Sequence, residues 1–242
     1  MNFRKKIFNF HDYFKKNDFQ TIIPKKTPRI VKIIIILISF FSLLSSILIL
    51  VRPNFFFTFS LSIPGMQKKF FWQILTNFFI VPRPFVSFRY VIHTIFVLYL
   101  FWVFSIEIIN FKGKKHYIFL LLTCSILSSM VALLFLNVFS FQFFNGADTL
   151  IYFLAISWLM LNRDAKFFIL FTSIKAKWVI FSIMILNLLS SLSLEYYVYF
   201  ATNISAIIIG YLYSLIVWKV NGPFNFLRKF EDAIIKIIKK HH

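Results

Sequence analysis

The sequence predicts an all-α polytopic membrane protein: a bundle of six helices with a short fourth helix and a long interfacial first loop. Three observations carry this. Hydrophobic residues make up 60% of the 242 positions against 14% charged, at a mean hydropathy of +0.80, which overrides the soluble-domain expectation that length alone would set. Six of the runs free of Asp, Glu, Lys and Arg read as helices: Ile33–Val51, Tyr90–Ile106, His116–Ala147, Thr149–Asn162, Trp178–Leu194 and Tyr196–Trp218. The 27 Lys and Arg are distributed unequally between alternate connections of those runs. With 36 Phe and only 5 Gly, single aromatic residues carry less information than usual.

The first 32 residues hold nine Lys/Arg and no apolar stretch long enough for a signal-peptide core, so the first span is expected to be retained as a signal anchor. A helix needs about 20 residues to cross the hydrocarbon core. The run His116–Ala147 exceeds one straight span, which places its end, NVFSFQFFNGA, in a turn with Asn145-Gly146 as breaker. Putting both termini in the cytosol leaves 22 Lys/Arg inside and 5 outside, and the positive-inside rule selects that orientation. The division is residues 1–29 as a basic N-terminal segment, 30–218 as the membrane domain and 219–242 as a basic amphipathic tail. A net charge of +19 ordinarily raises nucleic acid as a partner, but here the charge sits in the connections between spans, which argues against it.

The first loop contains KKFFWQILTNFF, with Phe70, Ile74 and Phe78 on one helical row and Phe71, Leu75 and Phe79 on the next. Such a segment is expected to lie in the interface, with Phe70, Phe71, Trp72, Ile74 and Phe78 touching lipid or client chains and Pro82 and Pro84 ending it. Apolar residues recur at similar spacing in both termini, as Phe3, Ile7, Phe10 and Phe14, and as Leu227, Phe230, Ile234 and Ile238. Two readings stand for these tails: basic segments that fix topology, or helices lying on anionic lipid.

The fourth run, of 14 residues, makes about 21 Å of helix against a core of about 30 Å. Around it lie GADTLIYFLAISW and ATNISAIIIGYLYS. This arrangement resembles the rhomboid superfamily, in which the short fourth helix begins at a serine nucleophile and the sixth carries a histidine base. Asp148 falls on the serine position, Asn203 on the histidine position and Gly210 on the closing glycine. An amide has no basic lone pair with which to activate an alcohol, so the resemblance implies a vacated dyad and no catalytic residue.

The finer pattern resembles the Derlin family of inactive rhomboid relatives. Trp72-Gln73 matches their Trp-Arg pair with the Arg lost; Glu107 and Phe111-Lys112-Gly113 match the acidic residue and F-x-G segment after the second helix. Trp158, Asn162, Arg163 and Asp164 match their V-W-x-x-N-R-D stretch, and Lys175-Ala176 the loop that follows; Tyr211 stands where many Derlins have His. The resemblance spans roughly Pro53 to Leu215 and implies a rhomboid-like bundle in the endoplasmic reticulum membrane that assists retrotranslocation of misfolded proteins in endoplasmic-reticulum-associated degradation. Partners implied are membrane lipids, misfolded clients, a ubiquitin-ligase complex and, indirectly because the tail has no glycine-rich box, the AAA ATPase extraction machinery; self-assembly stays open. The terminal KKHH fits a dilysine retrieval signal carried by Lys239 and Lys240.

Two alternatives are kept open: a rhomboid-like pseudoprotease scaffold that holds or traffics membrane clients, and an intramembrane hydrolase using Asp148. A transporter is disfavoured, because no inverted repeat is visible. No metal, phosphate-loop or cofactor motif occurs. Cys124 reads as a small buried side chain. His93, with no second histidine or carboxylate at helical spacing, reads as packed or hydrogen-bonded. Asn162-Arg163-Asp164 reads equally as a functional loop or as a helix end at the interface. Asp148 is expected to cap the fourth helix, and Ala206 with Gly210 to let the sixth approach the fourth closely.

Overall fold

The computed structural model describes residues 27–51, 58–81, 88–139, 143–169 and 172–240. Its elements are α1 (Arg29–Val51), α2 (Ile63–Gln67), α3 (Gln73–Thr76), a 3-10 turn (Asn77–Phe79), α4 (Phe88–Phe139), α5 (Ala147–Leu161), β1 (Lys166–Ile169), β2 (Thr172–Lys175), α6 (Ala176–Ser193), α7 (Tyr197–Ile216), a second 3-10 turn (Asn225–Leu227) and α8 (Arg228–Lys240). The apolar rows proposed for Phe3 to Phe14, the prolines Pro82 and Pro84, and His241 and His242 lie outside the described residues.

Four helices, α1, α4, α6 and α7, are long and apolar enough to cross a membrane. Their outward faces are apolar as well: Ile33, Ile36, Phe40, Leu43 and Ile47 form an exposed stripe along α1. A soluble bundle would cover or replace such a stripe, whereas hydrocarbon accepts it. The 52-residue α4 is not one straight helix, because Gly113 at φ 84°, ψ 166° interrupts it. A left-handed φ is strained for any residue with a Cβ, and this single glycine turns what would be an overlong helix into two antiparallel-capable limbs. Tyr117 ties the bend by donating to Ser105 Oγ at 2.8 Å across it. The six apolar runs therefore each fall mainly on helix.

The core sits around α5, which packs against α4 and α7. From Tyr152 to Met160 every residue of α5 is buried. Lipid offers no hydrophobic gain for helix association, so close packing must supply it. Gly210 does so on α7: a Cβ there would stand 2.4 Å from Ile156 Cγ2 and 3.0 Å from the Phe153 carbonyl. That is the close approach anticipated from the spacing of Ala206 and Gly210, and Ala206 is itself fully buried. By contrast α6 packs on α7 and lightly on α5, and has no substantial packing with α4 among the described residues.

Three features depart from the sequence reading. A two-stranded antiparallel hairpin pairs Lys166 with Lys175 and Ile169 with Thr172, in a segment read only as a loop. The first-loop helix is broken: α2 ends at a chain reversal through Lys69 (φ 63°), and only Gln73–Thr76 and the following 3-10 turn are helical. The tail helix is partly covered by the chain: α8 packs on Met160 and α7 through Glu231 and Ile235, while Phe230 and Ile237 stay exposed.

Candidate functional site at the N-terminal end of the buried helix

The short helix begins where the first loop meets it. Leu61 and Phe144 exchange both backbone hydrogen bonds, at 3.0 and 2.8 Å, and the Gly146 amide donates to the Asn77 carbonyl at 2.9 Å. The preceding helix already ends at Phe139, so Asn145-Gly146 does not break it but sets the start of α5, with Gly146 as N-cap, and the loop carbonyls take amides that a helix start leaves unpaired. Asn77 is buried and donates from Nδ2 to the Gln73 and Ile74 carbonyls and to Ser129 Oγ. A Cβ on Gly146 would lie 2.7 Å from Asn77 Oδ1, so glycine is what lets the two segments meet.

Trp72 and Gln73 share one acceptor. Both donate to the Thr58 carbonyl, at 2.9 and 3.4 Å, and Gln73 Oε1 accepts the Ser62 amide at 3.2 Å. Gln73 is fully buried. A neutral amide suits this enclosed place, where a guanidinium would need a counter-charge. Of the residues expected to face lipid or clients, Phe71 (60%) and Trp72 (46%) are exposed, and Leu75 (43%), which was not among them, is exposed beside them. Phe70 is half-buried and stacks on Trp72 at 4.7 Å between ring centroids, and Ile74 is partly covered. Phe78, expected in the same row, is only 2% exposed; the 3-10 turn winds it inward beneath Gly146. The outward row is thus Phe71, Trp72 and Leu75.

Asp148 is not the N-cap. Gly146 occupies that position and the helix starts at Ala147, with Asp148 in its first turn. There its charge still opposes the helix dipole, but the carboxylate turns sideways: Oδ2 lies 3.4 Å from His93 Nε2 on α4. The contact is a hydrogen bond for a neutral imidazole protonated at Nε2 and an ion pair for a charged one. Asp148 Oδ1 has no hydrogen-bond partner among the described residues. His93, read from sequence as lacking any carboxylate neighbour, receives one from another helix.

The other dyad position is also occupied. Asn203 is 3% exposed and accepts a hydrogen bond from Thr149 Oγ1 through its Oδ1 at 2.7 Å. Asp148 and Asn203 are therefore engaged separately, Asp148 with His93 of α4 and Asn203 with Thr149. Beside them Asn145 is fully buried with neither side-chain amide atom partnered among the described residues, and the buried Tyr152 hydroxyl is likewise unpartnered. Unpaired buried polar atoms are costly, and such a cluster suits ordered water. Chemically, the arrangement can hold and pass a proton between a carboxylate and an imidazole, while the alcohol at hand, on Thr149, donates to the Asn203 amide oxygen, which is not a base.

The other residues singled out by the sequence resemblance lie toward the opposite end of α5. Trp158 is buried, parallel to Phe167 of the hairpin at 6.0 Å and tilted on Phe104 at 5.5 Å. Asn162 closes the helix, donating from Nδ2 to the Trp158 carbonyl at 3.2 Å, while Arg163 and Asp164 form the exposed turn that follows. Glu107 is half-buried on α4 and Gly113 sits at its bend. Lys239 and Lys240 end α8. Tyr211 donates to Glu231 Oε1, and the Gly222 amide donates to Glu231 Oε2 at 2.9 Å. Cys124 is buried, 3.7 Å from Ser128 Oγ. Among the described residues no three His, Cys, Asp or Glu side chains gather as a metal site.

Comparison with protein-family models and with curated proteins gives no match.

Proposed function

We propose that this chain is a Derlin-like, non-catalytic six-helix bundle of rhomboid type in the endoplasmic reticulum membrane, with both termini cytosolic, which eases the passage of misfolded chains out of the bilayer. The observation that carries the reading is the pairing of a short central helix with an open side. α5 has 15 residues, about 22 Å of helix in a core of about 30 Å, and α6 has no substantial packing with α4 among the described residues. Because α5 is wrapped by α4 and α7, the mismatch falls on the outward-facing α6, whose 18 residues make about 27 Å of helix; a span shorter than the core thins the surrounding lipid, and each unsatisfied backbone group of a translocating chain costs several kcal/mol in hydrocarbon. A shorter, wetter path between α4 and α6, with exposed Phe71, Trp72 and Leu75 near its edge, lowers that cost.

Affinity purification from native membranes tests this: ubiquitin-ligase subunits and misfolded membrane clients should co-purify, with the AAA ATPase present only through them. Recovery of clients with unchanged client turnover after deletion of the protein would favour the passive scaffold. Absence of both clients and ligase would sink the proposal.

One contact favours a second reading. His93 beside Asp148 is the carboxylate–imidazole unit from which a water-activating base is built, so an intramembrane hydrolase using Asp148 gains a partner that the sequence did not offer. The variants D148N and H93Q separate the two. Both should leave client turnover intact if the bundle is non-catalytic, and both should abolish cleavage of a reporter if it is a hydrolase.

A further inference from the structure

At the far end of α5 from the His93–Asp148 contact, three cations from separate segments line one cavity of about 500 Å³. Arg163 comes from the turn after α5, Lys219 from the link after α7, and Arg228 from the first residue of α8; Met160 and Ile235 lie among the apolar lining. One carboxylate, Asp232, lines the same cavity, and Asn221 Nδ2 donates to it at 2.7 Å. The nearby Glu231 is buried and satisfied by uncharged donors, the Tyr211 hydroxyl and the Gly222 amide. Among the described residues the one carboxylate–cation contact within 4.0 Å is His93–Asp148; Arg163, Lys219 and Arg228, all exposed, form no salt bridge, and the single Asp232 leaves the cavity lining with an excess of positive charge.

Topology requires positive charge near a membrane face but does not require it to converge. Three cations held around one cavity repel each other, and an anion relieves that repulsion. Lys219 adds a second cost, since it adopts φ 54°, a conformation that glycine takes without strain and that burdens a residue with a Cβ. A lysine in such a place points to use of its ammonium. Two guanidinium groups and one ammonium suit a phosphate group, with the guanidiniums able to bind it through paired N–H donors.

We propose that the cavity between Arg163, Lys219 and Arg228 is a phosphate-binding site at the cytosolic face, filled by the headgroup of an anionic phospholipid or by a soluble phosphate compound. The site does not depend on the degradation function proposed above and survives its failure. Occupancy would bridge α5, the α7–α8 link and α8, and so hold the C-terminal helix on the bundle.

The test uses the full chain in neutral detergent, with native mass spectrometry as the readout. The lipid arm adds phosphatidic acid or phosphatidylinositol 4-phosphate against phosphatidylcholine; the soluble arm adds inorganic phosphate or inositol trisphosphate. Each cation is expected to contribute about fivefold, so the triple variant R163Q/K219G/R228Q should bind on the order of a hundredfold more weakly. Preferential retention of anionic lipid that soluble phosphate does not displace assigns the headgroup; binding of the soluble compounds without lipid assigns the free ligand. Equal retention by the wild type and the triple variant, or no preference over phosphatidylcholine, overturns the proposal. Should the triple variant unfold, K219G decides alone, because glycine relieves its backbone: about a fivefold loss supports the site, and unchanged binding overturns it.

Discussion

His93 Nε2 and Asp148 Oδ2 lie 3.4 Å apart and join α4 to the first turn of α5. The two residues are distant in sequence and share no helix. Their meeting gives an imidazole and a carboxylate, both partly exposed at 25% and 19%, a common environment at the start of the buried helix.

That contact should register as a coupling between variants. In a double-mutant cycle with H93Q and D148N, unfolding in mild detergent is expected to give a coupling of about 0.5–1 kcal/mol, the range for incompletely buried pairs. Strict additivity would mean that the contact contributes nothing.

The neighbouring bond between Thr149 and Asn203 is buried, and its loss strands an amide oxygen. T149V should destabilise the protein by about 1–2 kcal/mol, with the lower figure favoured if the membrane-embedded reference state finds other partners. T149S retains the hydroxyl and should restore most of the thermal midpoint.

Two glycines should fail for different reasons. G210A pushes a Cβ against Ile156 and the Phe153 carbonyl and is expected to cost about 1–3 kcal/mol by overpacking. G113A meets nothing within 4 Å but must hold φ 84°, costing about 1–2 kcal/mol. G113N should lose about as much as G113A, since φ 84°, ψ 166° lies in a region essentially confined to glycine and outside the left-handed helical region that asparagine tolerates, whereas G210N should be worse than G210A. Thermal midpoints of the four variants check the distinction.

The first loop separates a structural aromatic from an outward row. F78S removes a ring that is 2% exposed and should cost about 3–5 kcal/mol, lowering expression. F71S/L75S alters exposed side chains, which usually changes stability by less than about 0.5 kcal/mol. Under the proposed function that double variant should still lengthen the half-life of a misfolded membrane substrate; a pulse-chase with unchanged half-life would remove the row from the mechanism.

The C-terminal helix should come off when its buried acid is removed. E231A leaves the Tyr211 hydroxyl and the Gly222 amide without their acceptor, at about 1–3 kcal/mol for each stranded group. Hydrogen exchange should therefore rise along α8 alone, while E231Q, which keeps an acceptor oxygen, should show a smaller rise.

How far these features were legible before folding varies with the range of the interaction. The helices announce themselves because hydrophobicity and the absence of charge are summed over many residues, and Asn145-Gly146 acts through local backbone preference, whereas the bend at Gly113 was read only as a family match. The close approach at Gly210 was readable from small residues four apart. The hairpin was not: Phe167, Phe168 and Ile169 are strand formers, but in a chain this rich in Phe and Ile they resemble every other segment. The inward turn of Phe78 was hidden because a single α-helical period was assumed through a stretch that ends in a 3-10 turn.

Composition and charge placement were thus enough to establish a helical chain with spans suited to a membrane, since transfer of each segment depends on its own side chains. Which polar groups meet was set elsewhere. Asp148 finds His93 rather than an amide of its own helix, Asn203 finds Thr149, and Arg163, Lys219 and Arg228 surround one cavity. Each of these pairings joins elements whose relative rotation depends on packing around α5, and a one-residue change in helix phase, about 100° of rotation, would undo every one of them.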